Sequence, residues 1–140
     1  MDPAQAYGQT YLRGAVETAS PAQLVLALYD RALVALHRAG SSLAGGDVSG
    51  IEPAHRELVR AQDIVIELRS SLDHERGGEI ATSLDALYAF CLNRLIVANV
   101  TKDPAGLDDV GQLLGSLRDA WAEGVCGSPA VPEPAVAAAS

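Results

Sequence analysis

The stretch Ser20-Pro21-Ala22-Gln23-Leu24-Val25-Leu26-Ala27-Leu28-Tyr29-Asp30-Arg31-Ala32-Leu33-Val34-Ala35-Leu36 specifies a helix from its first residue. Ser20 has the short hydroxyl side chain that caps a first turn, Pro21 stands where a missing N–H costs nothing, and Gln23 is placed to reach back and complete a capping box. Behind that start, Leu24, Leu28, Ala32 and Leu36 make one apolar stripe, with Val25, Tyr29 and Leu33 beside it. This face is wider than a single core stripe requires. The run is predicted to end near Leu43, before Gly45-Gly46-Asp47.

Three more stripes follow. Leu58, Ala61, Val65, Leu68 and Leu72 recur at spacings of three and four with Glu57, Arg60, Asp63, Glu67 and Arg69 between them, which predicts a helix from about Glu52 to Leu72. Gly77-Gly78 is read as a break, after which Ile80, Leu84, Leu87, Cys91, Leu95 and Ala98 repeat the period to about Val100, widened by Tyr88 and Phe90. Beyond Lys102-Asp103-Pro104, the fourth stripe is Leu107, Val110, Leu114, Leu117 and Trp121, with Gly124 as its stop. Short connections force sequence neighbours to lie side by side, and no stretch shows strand alternation. The expected fold is all-α: an antiparallel four-helix bundle over residues 18–124, with a mobile N-terminal segment or short helix at 1–17 and a disordered Ala/Pro tail at 125–140.

Composition agrees and narrows the function. A chain of 140 residues is one domain's worth, and its apolar half is mostly Ala, Leu and Val, which favours helix over sheet. A net charge of −8 and a pI near 4.7 argue against nucleic acid. Met1-Asp2-Pro3 opens no signal peptide, and the longest apolar stretch, Leu24 to Leu36, is interrupted by Asp30 and Arg31, so neither secretion by that route nor membrane insertion is expected. Two cysteines, Cys91 in an apolar run and Cys126 in a Gly/Pro tail, make no disulfide framework and fit a reducing cytoplasm.

No catalytic constellation emerges. A di-iron bundle needs two Glu-x-x-His pairs and two further glutamates, and only Glu52-Pro53-Ala54-His55 has the spacing; His37 and His74 have no matching glutamate. Cys91 reads as a small hydrophobe, and Gly77-Gly78-Glu79 lacks the Lys and hydroxyl of a phosphate loop. Gly111 and Gly115 have the small-xxx-small spacing of tight internal helix packing. No cofactor and no metal is expected. The spare apolar width of the first and third helices, including Val25, Tyr29, Leu33, Leu87, Tyr88 and Phe90, is what asks for a partner; deeper wrapping into a larger core is the competing explanation.

An ordered set of residues tips that balance. Tyr11, Val16-Glu17-Thr18-Ala19-Ser20-Pro21, Leu24 and Leu28-Tyr29-Asp30 resemble the N-terminal pattern of the FliS family of flagellin export chaperones. Ala61 to Leu68, Ser71-Leu72-Asp73, Gly77-Gly78-Glu79, Leu84, Leu87-Tyr88, Arg94-Leu95, Ala98-Asn99 and Asp103 follow in that family's order. Val110, Leu113-Leu114 and Leu117 to Trp121 resemble its closing helix, so the likeness spans about residues 7 to 124. Arg31, Ala27 and Cys91 depart from the common pattern.

The resemblance implies a bacterial cytosolic chaperone, not an enzyme, that binds the C-terminal segment of flagellin, prevents premature polymerisation and delivers it to the flagellar type III export apparatus. The resemblance also implies the export gate or a co-chaperone as further partners, and the free protein is expected to be a monomer or weak homodimer. An apolar groove suits flagellin's amphipathic helices, and an extended wrap would bury roughly 2,000–5,000 Å². By the same resemblance Tyr7 and Tyr11, with Leu12 and Val16, are expected to shield the groove until flagellin arrives. The remaining partner-binding candidates are Leu24, Leu28, Tyr29, Ile64, Leu68, Tyr88, Arg94, Leu95 and Asn99. The competing reading for each is packing within the bundle, which weighs nearly as much for Leu28 and Leu68, and for Arg94 and Asn99 it is an internal pair with Asp30, Asp63 or Glu67. A scaffold bundle that self-associates through its apolar face is the alternative function, with a metal-binding bundle third.

Overall fold

A computed structural model describes residues 20–126. Its described residues form four α-helices, α1 (Pro21–Ala44), α2 (Ile51–Ser70), α3 (His74–Thr101) and α4 (Leu107–Cys126), with 3₁₀ turns at Val48–Gly50 and Pro104–Gly106 and no strand. The expected N-terminal segment, the boundary at residues 17 and 18, and the tail from residue 127 lie outside them.

The capping box at Ser20 is present. The Ser20 hydroxyl oxygen accepts from the Gln23 N–H at 3.2 Å, and Gln23 Oε1 accepts from the Ser20 N–H at 3.0 Å. Two other boundaries move. Asp73 accepts from the Arg76 N–H at 3.1 Å, so α3 begins a full turn before the glycine pair, and Gly78 (φ 51°, ψ −125°) becomes a kink inside the helix. Only glycine adopts that conformation at low cost. At the other end, Gly124 does not stop α4, which runs on to Cys126; a glycine costs a helix about 1 kcal/mol but ends it only where the backbone turns left-handed.

The helices close into a ring, α1 against α2 and α4, α2 against α3, and α3 against α4 along the thinnest seam. Cross-links show that neighbours run antiparallel. Arg69 near the end of α2 meets Asp85 near the start of α3 at 2.8 Å, while His55 near the start of α2 bonds Asn99 near the end of α3 at 3.1 Å. Trp121 in the last turns of α4 donates its indole N–H to the Ala22 carbonyl at 2.6 Å, and Arg118 meets Asp30 at 2.7 Å. Alanines at 32, 35 and 39 of α1 and at 54 and 61 of α2 are buried, so the broad α1–α2 seam is built from small side chains.

Across the diagonal, the hydroxyls of Tyr29 (α1) and Tyr88 (α3) hydrogen-bond to each other inside a core that holds Leu58, Val65, Leu68, Cys91, Leu95 and Leu114. Burial raises the pKa of both tyrosines, and it pushes the Cys91 thiol up to about 11. Each group is therefore an acid held neutral by the fold. Its contribution to stability is complete below the unfolded-state value, about 9 for the thiol and about 10 for the phenols, and is lost as pH climbs toward the folded values.

Stability by urea unfolding should thus fall between about pH 8 and pH 11. At neutral pH, Tyr29→Phe should cost about 1–3 kcal/mol by stranding the Tyr88 hydroxyl, and the double Phe variant should cost less than the two single changes summed, because no buried hydroxyl is then left unpaired.

Glycine positions give a second test. A Cβ on Gly50 would lie 1.9 Å from the Ser42 carbonyl oxygen, whereas one on Gly111 or Gly115 would meet nothing within 4 Å. The Gly111 and Gly115 spacing therefore does not mark close helix packing, a correction to the sequence reading: neither Cα is approached by a neighbouring helix. In thermal melts, Gly50→Ala should lose about 1–3 kcal/mol, and Gly111→Ala should gain about 0.5–1 kcal/mol through reduced chain entropy.

Candidate functional site

Between Asp85 and Lys102, α3 carries one charged residue, Arg94. Its buried stripe is Ala81, Tyr88, Cys91, Leu95 and Ala98, with Leu84 and Leu92 partly buried against it, and several further apolar side chains stay outside the core. Phe90 is 42% exposed, Ile96 46%, Val97 51% and Val100 79%. α3, and not the Leu24–Leu36 run, is the helix among the described residues long and apolar enough by length and composition to cross a bilayer. Here that composition serves two faces, one inside the bundle and one outside.

The seam with α2 fixes where the outer face lies. His55, Gln62 and Arg69 recur every seven residues along one edge of α2, as do Asp85, Leu92 and Asn99 along the facing edge of α3, and the two end pairs are the cross-links already described. The Arg69 guanidinium reaches both Asp85 carboxylate oxygens, at 2.8 and 3.3 Å, and this hydrogen bond holds the Asp85 pKa below the usual carboxylate value. Ile66 follows Gln62 by one turn and Ile96 follows Leu92 by one turn, so both lie along this seam with side chains exposed. On the other flank of α3, the Arg94 guanidinium stacks over the Phe90 ring, 5.1 Å from its centroid, and the thin α3–α4 seam leaves Leu113 and Leu117 only partly buried.

The far end is held by a polar cluster. Lys102, in the left-handed region at φ 55°, closes α3 by donating its ammonium to the Asn99 carbonyl and, at 2.7 Å, to Asn99 Oδ1, the same atom that His55 Nδ1 contacts at 3.1 Å. Among the described residues no group of three or more His, Cys, Asp or Glu is arranged to hold a metal. The arrangement is an apolar strip with polar ends, the kind of surface at which two chains meet.

The family model described as Flagellar protein FliS matches residues 3–128. The chain belongs to the FliS family. It is similar to the flagellar secretion chaperone FliS of Salmonella typhimurium, 41% identical over 118 residues that cover 84% of this chain and 85% of that protein. It is also similar to the flagellar secretion chaperones FliS of Vibrio cholerae (36% identical, 84% of each chain) and Escherichia coli (34% identical, 93% of this chain and 94% of that one).

In this FliS-family bundle the residues singled out from sequence fall into three groups. Tyr7, Tyr11, Leu12 and Val16 lie outside the described residues. Tyr29, Ile64, Leu68, Tyr88 and Leu95 are buried at 6% exposure or less, so they build the core and support the outer face from beneath. Leu24, Leu28, Arg94 and Asn99 are at least partly exposed, with Asn99 turned toward His55 and Lys102 rather than toward Asp30, Asp63 or Glu67. Asp30 instead pairs with Arg118. The exposed Ile66, Ile96, Val97 and Val100 were missed, although the nearly charge-free run from Ala86 to Thr101 marks a helix with more apolar surface than one core can take.

Proposed function

We propose that this chain is a cytosolic export chaperone that catalyses no reaction, binds the C-terminal helical segment of flagellin, prevents its premature polymerisation and presents it to the flagellar type III export apparatus. The observation that carries this reading is the apolar face of α3 that the other described helices leave uncovered, bounded by Ile66 on one side and by Phe90 and Arg94 on the other. Membership of a family whose relatives are named flagellar secretion chaperones supports it. An amphipathic helix cannot bury its apolar face alone, and laying it along α3 removes two such faces from water at once. Arg94 and Asn99 contribute from the edges of this face, their polar side chains fixing register, and Leu24 and Leu28, partly exposed on α1, are further contacts for a segment that wraps round the bundle. In the free protein, residues 1–16, through Tyr7, Tyr11, Leu12 and Val16, cover part of this face until flagellin displaces them.

Calorimetry of the full chain with flagellin, and with flagellin lacking its C-terminal helices, tests the proposal. One-to-one binding lost on that truncation is expected, together with a loss of about tenfold or more from Ile96→Glu at an unchanged melting temperature. Absence of binding to either flagellin, with a stable homo-oligomer held through the same face, would replace the chaperone by a self-associating scaffold.

A further inference from the structure

The outer edge of the α1–α2 seam has the opposite character. Two adjoining hollows of about 360 and 340 Å³ run along it, and Arg38 and Glu57 line both. Arg31 and Arg60 line the first, beside Val34 and beside Asp30, whose carboxylate is already held by Arg118, and Arg56 lines the second, so four of the ten basic residues of a chain with net charge −8 gather on one edge. Arg60 meets Glu57 Oε1 at 2.7 Å. The exposed Arg31, Arg38 and Arg56 make no ion pair with any described residue.

Glu57 is the second, independent observation. It is 8% exposed, the one buried charged residue among those described, and its Oε2 has no hydrogen-bond partner. A carboxylate oxygen withdrawn from water without a donor is costly, and both hollows beside it are lined by arginines.

We infer that this edge is a second docking surface, separate from the apolar face of α3, for an acidic segment of another protein that carries a cationic donor among its carboxylates. The arginines take the carboxylates, with Arg31 and Arg38 spaced seven residues apart on α1 and Arg56 and Arg60 four apart on α2. The donor, a lysine ammonium, satisfies Glu57 Oε2. Charge complementarity selects the occupant: the arginines attract acidic chains, and the buried carboxylate repels any ligand that brings only negative charge, such as a nucleic-acid backbone. This inference does not rest on flagellin binding.

The test uses the full-length chain and two short helical peptides of glutamates, one with a central lysine and one with norleucine in its place. Side-chain NMR signals of Arg31, Arg38, Arg56 and Arg60 should shift on titration while those of Arg69 and Arg94, away from this edge, stay still. The lysine peptide should bind about tenfold more tightly than the norleucine peptide. Arg38→Glu should weaken both, and Glu57→Gln should erase the difference between them. Equal affinity of the two peptides for the unaltered chain, shifts spread evenly over all arginines, or tighter binding of a single-stranded oligonucleotide at this edge would each overturn it. Flagellin affinity of the Arg38→Glu variant reads the two surfaces apart: unchanged binding is expected, and a loss matching that from Ile96→Glu would merge them and end the proposal of a separate site.

Discussion

Tyr29 and Tyr88 meet across the diagonal of the bundle, and their hydroxyl pair fixes the rotation of α3 about its own axis. That rotation is the constraint on which the rest depends. α3 has apolar side chains nearly all round, so hydrophobicity alone would accept several orientations of the helix. A phenol hydroxyl buried without a partner would cost about 1–3 kcal/mol, and the orientation that turns Tyr88 inward gives the buried Tyr29 hydroxyl its partner. With Tyr88 inward, Cys91 and Leu95 follow it into the core, and Phe90, Ile96, Val97 and Val100 are necessarily left outside. The outer face is thus the remainder of a packing choice made by one polar contact.

The ends of the α2–α3 seam repeat this logic with ions and amides. Arg69 and Asp85 at one end and His55, Asn99 and Lys102 at the other set the register of the two helices, and the apolar strip lies between. An exposed ion pair such as Arg69 with Asp85 adds little stability, but it excludes slides of one turn along α2 that would carry Ile66 away from Ile96. The surface is held in shape by contacts that contribute little to folding free energy.

The helices and their order are legible in the sequence because they follow from local chemistry: the Ser20 and Gln23 capping box, the apolar period and the short loops each act over a few residues. The start of α3 was hidden because Asp73 caps a turn upstream of Gly77 and Gly78, and a side-chain cap outweighs a glycine's reluctance to be helical. The division of α3 into inside and outside was hidden for a different reason. Periodicity identifies a stripe, but where several stripes coexist the choice between them depends on a partner 59 residues away, here Tyr29. Tyr88 and Leu95 therefore looked available for binding when they are core, and Ile96 and Val97 went unremarked when they are surface.

Two faces of opposite character on one small bundle follow from how its seams are filled. Alanines draw α1 and α2 together, and at the rim of this close seam the long arginines lie beside the half-exposed Val34, with stems over the seam and charges in water. α3 meets α4 through bulkier residues, the seam is thinner, and Leu113 and Leu117 stay partly open beside Phe90. Side-chain size within each seam thereby determines the chemistry at its rim. Enlarging the alanines at 32, 35 and 39 would part α1 from α2 and pull Arg31 and Arg38 away from Glu57, with no direct contact to the α3 face on the far side of the core. The two surfaces are set by different seams, so either can change while the other keeps its shape.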